Sequence, residues 1–429
     1  MVFEKTTKKA SPWIWVPSLY FGEGLPYVAV MTISVILYKR FGMSNTDIAF
    51  YTAWLYLPWT IKFLWSPFVD ILKSKRWWIV LMQLLIGAFL GGVAFSLPTP
   101  FWIQASMAFF WLMAFSSATH DIAADGFYMH GLETKQQAFF IGIRNTFYRL
   151  AMITGQGLII ILAGKLEEQP GNPFGMEQIP YAWMLVFLVM AIFFILLGIY
   201  HAFVLPRPQS DSERKAMTYK QLWQDMLLSF KSFFQKKHIL TAIAFMLLYR
   251  FSEAQLVKIA SPFLLDNTEV GGLGLSTAQV GFAYGTLGIA CLVVGGILGG
   301  IVISKKGLAD SLWPMVLMLC LPNLVYVFFA FARPESLTVI NLGIALEQLG
   351  YGYGFTAYTM YLLHFSQGPF KTAHYAICTA FMALGMMIPG MFAGALQEWM
   401  GYPLFFVWIV LATLPCFWVV GLAKKHLKE

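Results

Sequence analysis

Charged side chains set deep inside apolar runs are the part of this sequence able to do chemistry. Glu347 and Gln348 interrupt INLGIALEQLGYGYGFTAYTMYLLH, residues 340–364, which is otherwise mostly apolar. A carboxylate in the middle of such a run is costly in lipid, so it faces protein or water and carries a function by default. The alternative is a structural hydrogen bond from its protonated form. Gly350, Gly352 and Gly354 follow closely and let another helix or a ligand approach the backbone. Glu23 lies in Gly22-Glu23-Gly24-Leu25-Pro26, where Gly and Pro loosen a helix, and helical rise places it ~15 Å deep. Arg250 and Glu253 are three apart, a spacing at which they can pair on one helix face. Asp121 and Asp125 are four apart and share a face. Two such carboxylates can bind a metal, share a proton, or serve as a plain gate or salt bridge. His120 beside Asp121 is too weak a pattern for a catalytic dyad.

The cations inside apolar runs are Lys62, Arg144, Arg149, Arg250 and Lys258. Arg149 lies ~16 Å in by helix rise and keeps its charge there, so it is paired or faces water. It suits bidentate capture of a carboxylate, or a fixed ion pair with Glu23 or Asp121. Lys62 can pair with an acid, bind an anionic solute, or snorkel; Lys258, near a span end, snorkels. Tyr351, Tyr353 and Tyr358 can stack on sugar rings or simply fill space.

These residues need long helices to hold them. Of 429 residues, 59% are hydrophobic and only 12% charged, which marks a polytopic membrane protein. The net charge of +8 lies in short loops, so it reads as a topology signal and not as a nucleic-acid surface. Cys291, Cys320, Cys378 and Cys416 all lie in apolar runs without metal-ligand spacing. No disulfide, metal or cofactor is expected. The first apolar run continues for a full span with no small-residue cleavage site, so a removed leader is not expected.

Twelve spans are expected, at 13–38, 47–70, 77–97, 101–123, 138–164, 180–205, 239–265, 277–302, 311–331, 336–364, 372–395 and 402–422. With both ends inside, 20 of the 29 Lys and Arg fall in inner segments, four in outer loops and five within spans. That bias places both termini in the cytoplasm. Trp13, Trp15, Trp77, Trp78, Trp102, Trp183 and Trp313 fall near span ends as interfacial anchors. The basic loop 206–238 separates a six-span N-terminal bundle, 1–205, from a six-span C-terminal bundle, 239–429. Within the loop, residues 219–234 have Leu222, Met226 and Phe230 at helical spacing, an amphipathic helix for the inner membrane surface. Phe21-Gly22-Glu23-Gly24 echoes Phe251-Ser252-Glu253-Ala254 at an offset of 230, and Leu150-Ala151-Met152 echoes Leu384-Gly385-Met386 at 234. Agreeing offsets point to parallel repeats of the major facilitator type. The repeated glycines Gly295-Gly296 and Gly299-Gly300 mark a close helix-packing face and not a phosphate loop.

A resemblance becomes specific in the second span. Lys62-Phe63-Leu64-Trp65-Ser66-Pro67-Phe68-Val69-Asp70, followed by Lys73, Lys75 and Arg76, resembles the KFLWSP-x-x-D segment of the AmpG-type permeases. These are a major facilitator branch that imports cell-wall muropeptides. Similar stretches are Ser116 to Asp125, Tyr148-Arg149-Leu150 with Met152, and Glu347-Gln348-Leu349. The seventh span departs by having Arg250 for Lys and Glu253 for Asp. The loop after the eighth span keeps Gly299-Gly300, Lys305, Lys306 and Gly307 without an acid matching Asp70. Some members carry two further spans, and the branch includes acetyl-coenzyme A transporters.

The resemblance implies an all-α membrane protein of twelve helices in two pseudo-symmetric bundles. It implies a proton-coupled importer of N-acetylmuramic acid or an anhydro-muropeptide across a bacterial inner membrane, by alternating access. The proton-coupling candidates are Glu23, Glu253, Glu347, Asp121 and Asp125. The substrate-binding candidates are Lys62, Arg144, Tyr148, Arg149, Arg250, Gln348 and Tyr351, with Asp70 and Arg76 as the gate. Protons and membrane lipid are the expected partners, with no nucleic acid, and a monomer is expected. Alternatives are an exporter on the same fold, an acetyl-coenzyme A transporter and, more remotely, an intramembrane transferase using His120.

Overall fold

The computed structural model describes residues 11–207 and 219–428, and all regular structure among them is helical. Eight segments are long and apolar enough to cross a membrane: Pro12–Arg40, Lys75–Ser96, Gly142–Glu167, Gln178–Val204, Ile239–Leu265, Thr277–Lys306, Leu308–Ala332 and Ala373–Lys428. The last of these holds both the eleventh and the twelfth span. The second, fourth and tenth spans, which carry Lys62, the Asp121 and Asp125 pair, and Glu347, are not among these eight.

Proline and glycine mark several of the places where the long helices depart from regularity, though not the break in the seventh. The first span widens into a π-helical turn at Ala29–Ile33, just after Pro26 withdraws a backbone donor. The second span is built of short pieces, Asn45–Trp54, Leu57–Ile61, Lys62–Leu64 and Ser66–Leu72. Pro58 and Pro67 start the second and fourth pieces, where the missing N–H costs least. Ser44 and Ser74 cap the helices that follow them, accepting from the N–H of Asp47 and Trp77. The seventh span breaks between Ile239–Leu248 and Phe251–Leu265, with Arg250 at φ −114°, ψ 23°. The eleventh span runs on to Gly401, whose φ of 74° bends the chain into the twelfth. Glu398 and Trp399 therefore sit on a helix, where the sequence suggests a loop.

The chain packs as two compact units. The first comprises the described parts of Met1–Val28, Leu64–Met152 and Trp183–Ala216. Its core joins Trp15, Leu19 and Tyr20 of the first span to Ile79, Ala124 and Phe127 of the third and fourth. Trp15 meets Phe127 edge-on, with ring centroids 5.1 Å apart.

The second unit comprises the described parts of Ala29–Phe63, Ile153–Ala182 and Met217–Glu429. Its core gathers Phe245, Tyr249, Leu319, Tyr358 and Cys416. The eighth span lies so close to the tenth that a Cβ on Gly295 would run into the Leu349 carbonyl, and one on Gly352 into the Leu292 carbonyl. The outer end of the fifth span approaches the eighth in the same way, since a Cβ on Gly281 would stand 3.0 Å from Ile161 N. The helix Tyr219–Phe234 turns Phe233 onto Phe365 and His374. Its other face leaves Trp223, Leu227 and Leu228 exposed.

Candidate functional site

In the first unit, the fifth span brings Arg144 over the first and fourth. Its guanidinium pairs with Asp125 at 2.9 Å, reaches the Tyr20 hydroxyl at 3.1 Å and stacks 4.4 Å from the Tyr20 ring centre. Tyr20 in turn donates to Asp125 at 3.3 Å. One cation, one carboxylate and one phenol thus form a closed triangle. Glu23 lies one turn along the first span from Tyr20 and is buried. Its neighbour Gly24 fits against the fifth span, where a Cβ would stand 3.0 Å from the Tyr148 carbonyl. Arg149 is half-buried and makes no ion pair or hydrogen bond among the described residues, so no fixed pair with Glu23 or Asp121 forms. Arg76 spans onto the end of the sixth helix and donates to the carbonyls of Leu205, at 3.1 Å, and Ala202. Asp70 falls on Ser66–Leu72, but its side chain lies outside the described residues.

In the second unit, Arg250 does not pair with Glu253. The break at Arg250 removes the regular three-residue register, and the guanidinium swings to the tenth span. There it donates to the Tyr351 hydroxyl and lies 4.9 Å from the ring centre of Phe355. Arg250 is 8% exposed, its Nε has no hydrogen-bond partner, and no acidic side chain is within ion-pair distance among the described residues. Glu253 and Glu347 are each 2% exposed. Gln348 donates to Glu347 at 2.9 Å, while Oε2 of Glu253 has no partner among the described residues. Buried carboxylates without cations, beside a buried cation without a carboxylate, are an arrangement suited to taking up and releasing charge. Lys62 occupies the tight turn Lys62–Leu64 and is half-buried.

The same unit is tied together at the end of its helices away from Asp310 and Lys428. Lys39 pairs with Asp266 at 2.7 Å and donates to Asn45 at 2.8 Å. Asn45 donates to Gln397 at 2.6 Å and to Tyr402 at 2.9 Å, and Tyr402 donates to Asp266 at 2.5 Å. Thr46 binds Glu398 through its hydroxyl at 2.6 Å. Glu167 takes both Arg40, at 3.1 Å, and Thr277, at 2.7 Å. These bonds join the first, second and fifth spans to the seventh, eighth, eleventh and twelfth.

A family profile described as the Major Facilitator Superfamily matches residues 18–373. The chain belongs to the Major Facilitator Superfamily. Within this transporter superfamily, its relatives include the anhydromuropeptide permease of Escherichia coli, 25% identical over 410 residues, 92% of this chain and 76% of that one. Another is a protein of Rickettsia conorii named transporter AmpG 4, 25% identical over 416 residues and 93% of each chain. Among solved structures, a bacterial homolog of the human lysosomal transporter Spinster, inward-facing and unoccupied, matches with a TM-score of 0.73 at 16% identity. It covers 96% of this chain and 95% of its own. A D-xylose–proton symporter matches with a TM-score of 0.68 at 12% identity, over 94% of this chain and 96% of its own. Both structures share the twelve-helix major facilitator fold.

Two features of this superfamily member escaped the sequence reading. Lys258 does not snorkel; it is 2% exposed, donates to Thr52 at 2.9 Å and lies 5.4 Å from the Tyr56 ring centre. The other is a buried chain of side chains through the first unit. Ser18 meets His201 at 2.9 Å, His201 meets Gln83 at 2.8 Å, and Gln83 meets His120 at 3.0 Å. It ties the first, third, fourth and sixth spans together. Gln83 and His201 are lone polar residues in otherwise apolar spans. That alone signals that they bond each other or a neighbour.

Proposed function

We propose that this transporter imports an acidic cell-wall fragment, N-acetylmuramic acid or an anhydro-muropeptide, together with protons. It works by alternating access in the inner membrane of a bacterium. Both termini lie in the cytoplasm, and the halves 1–205 and 239–429 move about the linker 206–238. The observation that carries the reading is the setting of Arg250: a buried guanidinium held by a phenol and an aromatic face, with no acid bound to it. Such a cation is completed by a carboxylate from the solute. An aromatic face beside it suits the apolar side of a sugar ring. The name of the Escherichia coli relative supplies the solute class.

Glu253 and Glu347 are the proton carriers in this reading, with Glu23, Asp121 and Asp125 as the acids of the first half. Protonation at the outer face neutralises the carboxylates beside the bound anion, and loss of the proton inside restores repulsion and expels it. Gln348 and Tyr351 orient Glu347 and Arg250, and Arg144, Tyr148, Arg149 and Lys62 complete the solute contacts. The bonds among Lys39, Asn45, Asp266 and Tyr402 close the outer end, and Asp70 with Arg76 guards the inner one.

Reconstituted protein given N-acetylmuramic acid or an anhydro-muropeptide accumulates it when the outside is acidic, and a protonophore abolishes the accumulation. Uptake indifferent to the proton gradient overturns the coupling. Uptake of neutral glucose without N-acetylmuramic acid overturns the solute class.

A further inference from the structure

Among the described residues, two buried cations of the seventh span have no acid within ion-pair distance. Arg250 is one. Lys258 is the other: it is 2% exposed and no carboxylate lies within ion-pair distance among the described residues. An ammonium has three donors, and this one makes a single hydrogen bond among the described residues, to the Thr52 hydroxyl at 2.9 Å. The Tyr56 ring faces it at 5.4 Å. Its stem lies along the eleventh span, where a Cβ on Gly390 would stand 3.4 Å from Lys258 Cγ. Other cations of this unit are differently served. Lys39 binds Asp266, Arg40 binds Glu167, Lys424 and Lys428 bind Asp310, and Lys236 binds the carbonyls of Phe365 and Gln367.

Arg250 stands just before the helix Phe251–Leu265, and Lys258 at its middle. Eight residues separate them, a rise of ~12 Å along the seventh span, and Arg250 turns toward the tenth span while Lys258 turns toward the second. A neutral hydroxyl is a weaker acceptor for an ammonium than a carboxylate, which displaces it. Thr52 keeps its own proton engaged with the Ile48 carbonyl at 2.6 Å, so its donor stays satisfied when Lys258 leaves.

We propose that Arg250 and Lys258 form a two-point anion reader, and that Lys258 selects solutes carrying a second carboxylate. The inference rests on the reading of Arg250 as a solute-carboxylate ligand. Lys258 leaves Thr52 for the second acid group when the second and seventh spans part at this end. A neutral or singly acidic solute engages Arg250 alone and binds less tightly.

The probes are N-acetylmuramoyl-L-alanyl-D-isoglutamine, with one carboxylate, and N-acetylmuramoyl-L-alanyl-D-glutamic acid, which replaces one amide by a second carboxylate. Binding to the full-length protein in nanodiscs is measured by titration calorimetry. The diacid binds about tenfold tighter than the monoacid, the low end for a hydrogen bond to a charged group. Lys258→Met keeps the unbranched stem and abolishes that preference while leaving the affinity for the monoacid within about twofold. Lys258→Arg keeps the preference. Arg250→Met weakens both ligands. Equal wild-type affinities, or a preference that survives Lys258→Met, overturn the proposal. A failure of the wild-type protein to bind either ligand overturns the muropeptide reading instead.

Discussion

Replacing Asp266 by alanine removes two charged hydrogen bonds from the closed end of the second unit. Lys39 binds one oxygen at 2.7 Å and Tyr402 the other at 2.5 Å. Each such bond contributes about 1.5–3 kcal/mol in favourable settings. The two losses do not simply add. Lys39 keeps Asn45 at 2.8 Å and Tyr402 keeps it at 2.9 Å, and the Lys39 and Asp266 side chains retain 14% and 19% of their exposure. Water therefore screens part of the pair, and the net loss is about 2–3 kcal/mol. If this end opens during transport, the loss falls on the closed state alone. The open population then rises roughly 30–150-fold. Ala53, fully buried on the second span, reports it. With the four native cysteines replaced by serine, maleimide labelling of an Ala53→Cys variant accelerates by that factor when Asp266→Ala is added. Asp310→Ala is the control, because Asp310 pairs with Lys428 at 2.9 Å at the opposite end of the spans. Labelling that stays within about twofold of the parent, or that rises equally with Asp310→Ala, refutes the assignment of this network as the outer closure.

Glu347→Gln keeps the shape and the contact to Gln348 but cannot carry a proton. Solute exchange down its own gradient persists, while accumulation driven by a proton gradient falls at least tenfold; undiminished accumulation removes Glu347 from the coupling. Arg144→Lys keeps the charge near Asp125 but loses the planar contact with Tyr20. It lowers the affinity for the solute by about three- to tenfold in calorimetry, whereas unchanged affinity assigns Arg144 to structure alone. Gly295→Ala forces a methyl into the Leu349 carbonyl and destabilises the fold by about 1–3 kcal/mol. Gly300→Ala, where nothing lies within 4 Å of the new methyl, leaves the melting temperature of the detergent-solubilised protein unchanged.

The charged residues inside spans were legible because lipid makes each of them conspicuous. Their partners were legible only where helical register held. The glycines of the eighth span predict a close helix contact, and Gly295 makes one with the tenth. Arg250 and Glu253 satisfy the spacing rule for a pair, yet the chain breaks at Arg250 and the rule no longer applies. Nothing local marks that break, since Leu248, Tyr249 and Phe251 are all acceptable in a helix. The network of Asn45 with Gln397 and Tyr402 joins residues some 350 positions apart. Only the packing of whole spans creates it. Lys258 was misjudged because its nearness to a span end suggests a route to water, and the second and eleventh spans close that route.

The two units treat charge in opposite ways, and that difference bears on where a travelling ion must act. In the first, Arg144 and Asp125 already satisfy each other, so an arriving anion competes with a resident carboxylate. In the second, among the described residues, Arg250 and Lys258 bind only hydroxyls and aromatic faces, and neither Glu253 nor Glu347 holds a cation. An arriving carboxylate gains a full charge-assisted bond there and displaces only a neutral acceptor. An arriving proton likewise neutralises a buried acid without breaking an ion pair. Sensitivity to solute charge and to protons should therefore concentrate in the seventh and tenth spans. The Arg144 triangle then adjusts affinity without deciding which ions are carried. Exchanging Arg144 and Asp125 for one another keeps their pairing and preserves both solute preference and coupling, whereas the same exchange between Arg250 and Glu253 abolishes both. Loss of coupling in the first exchange would move the ion-carrying step into the N-terminal half.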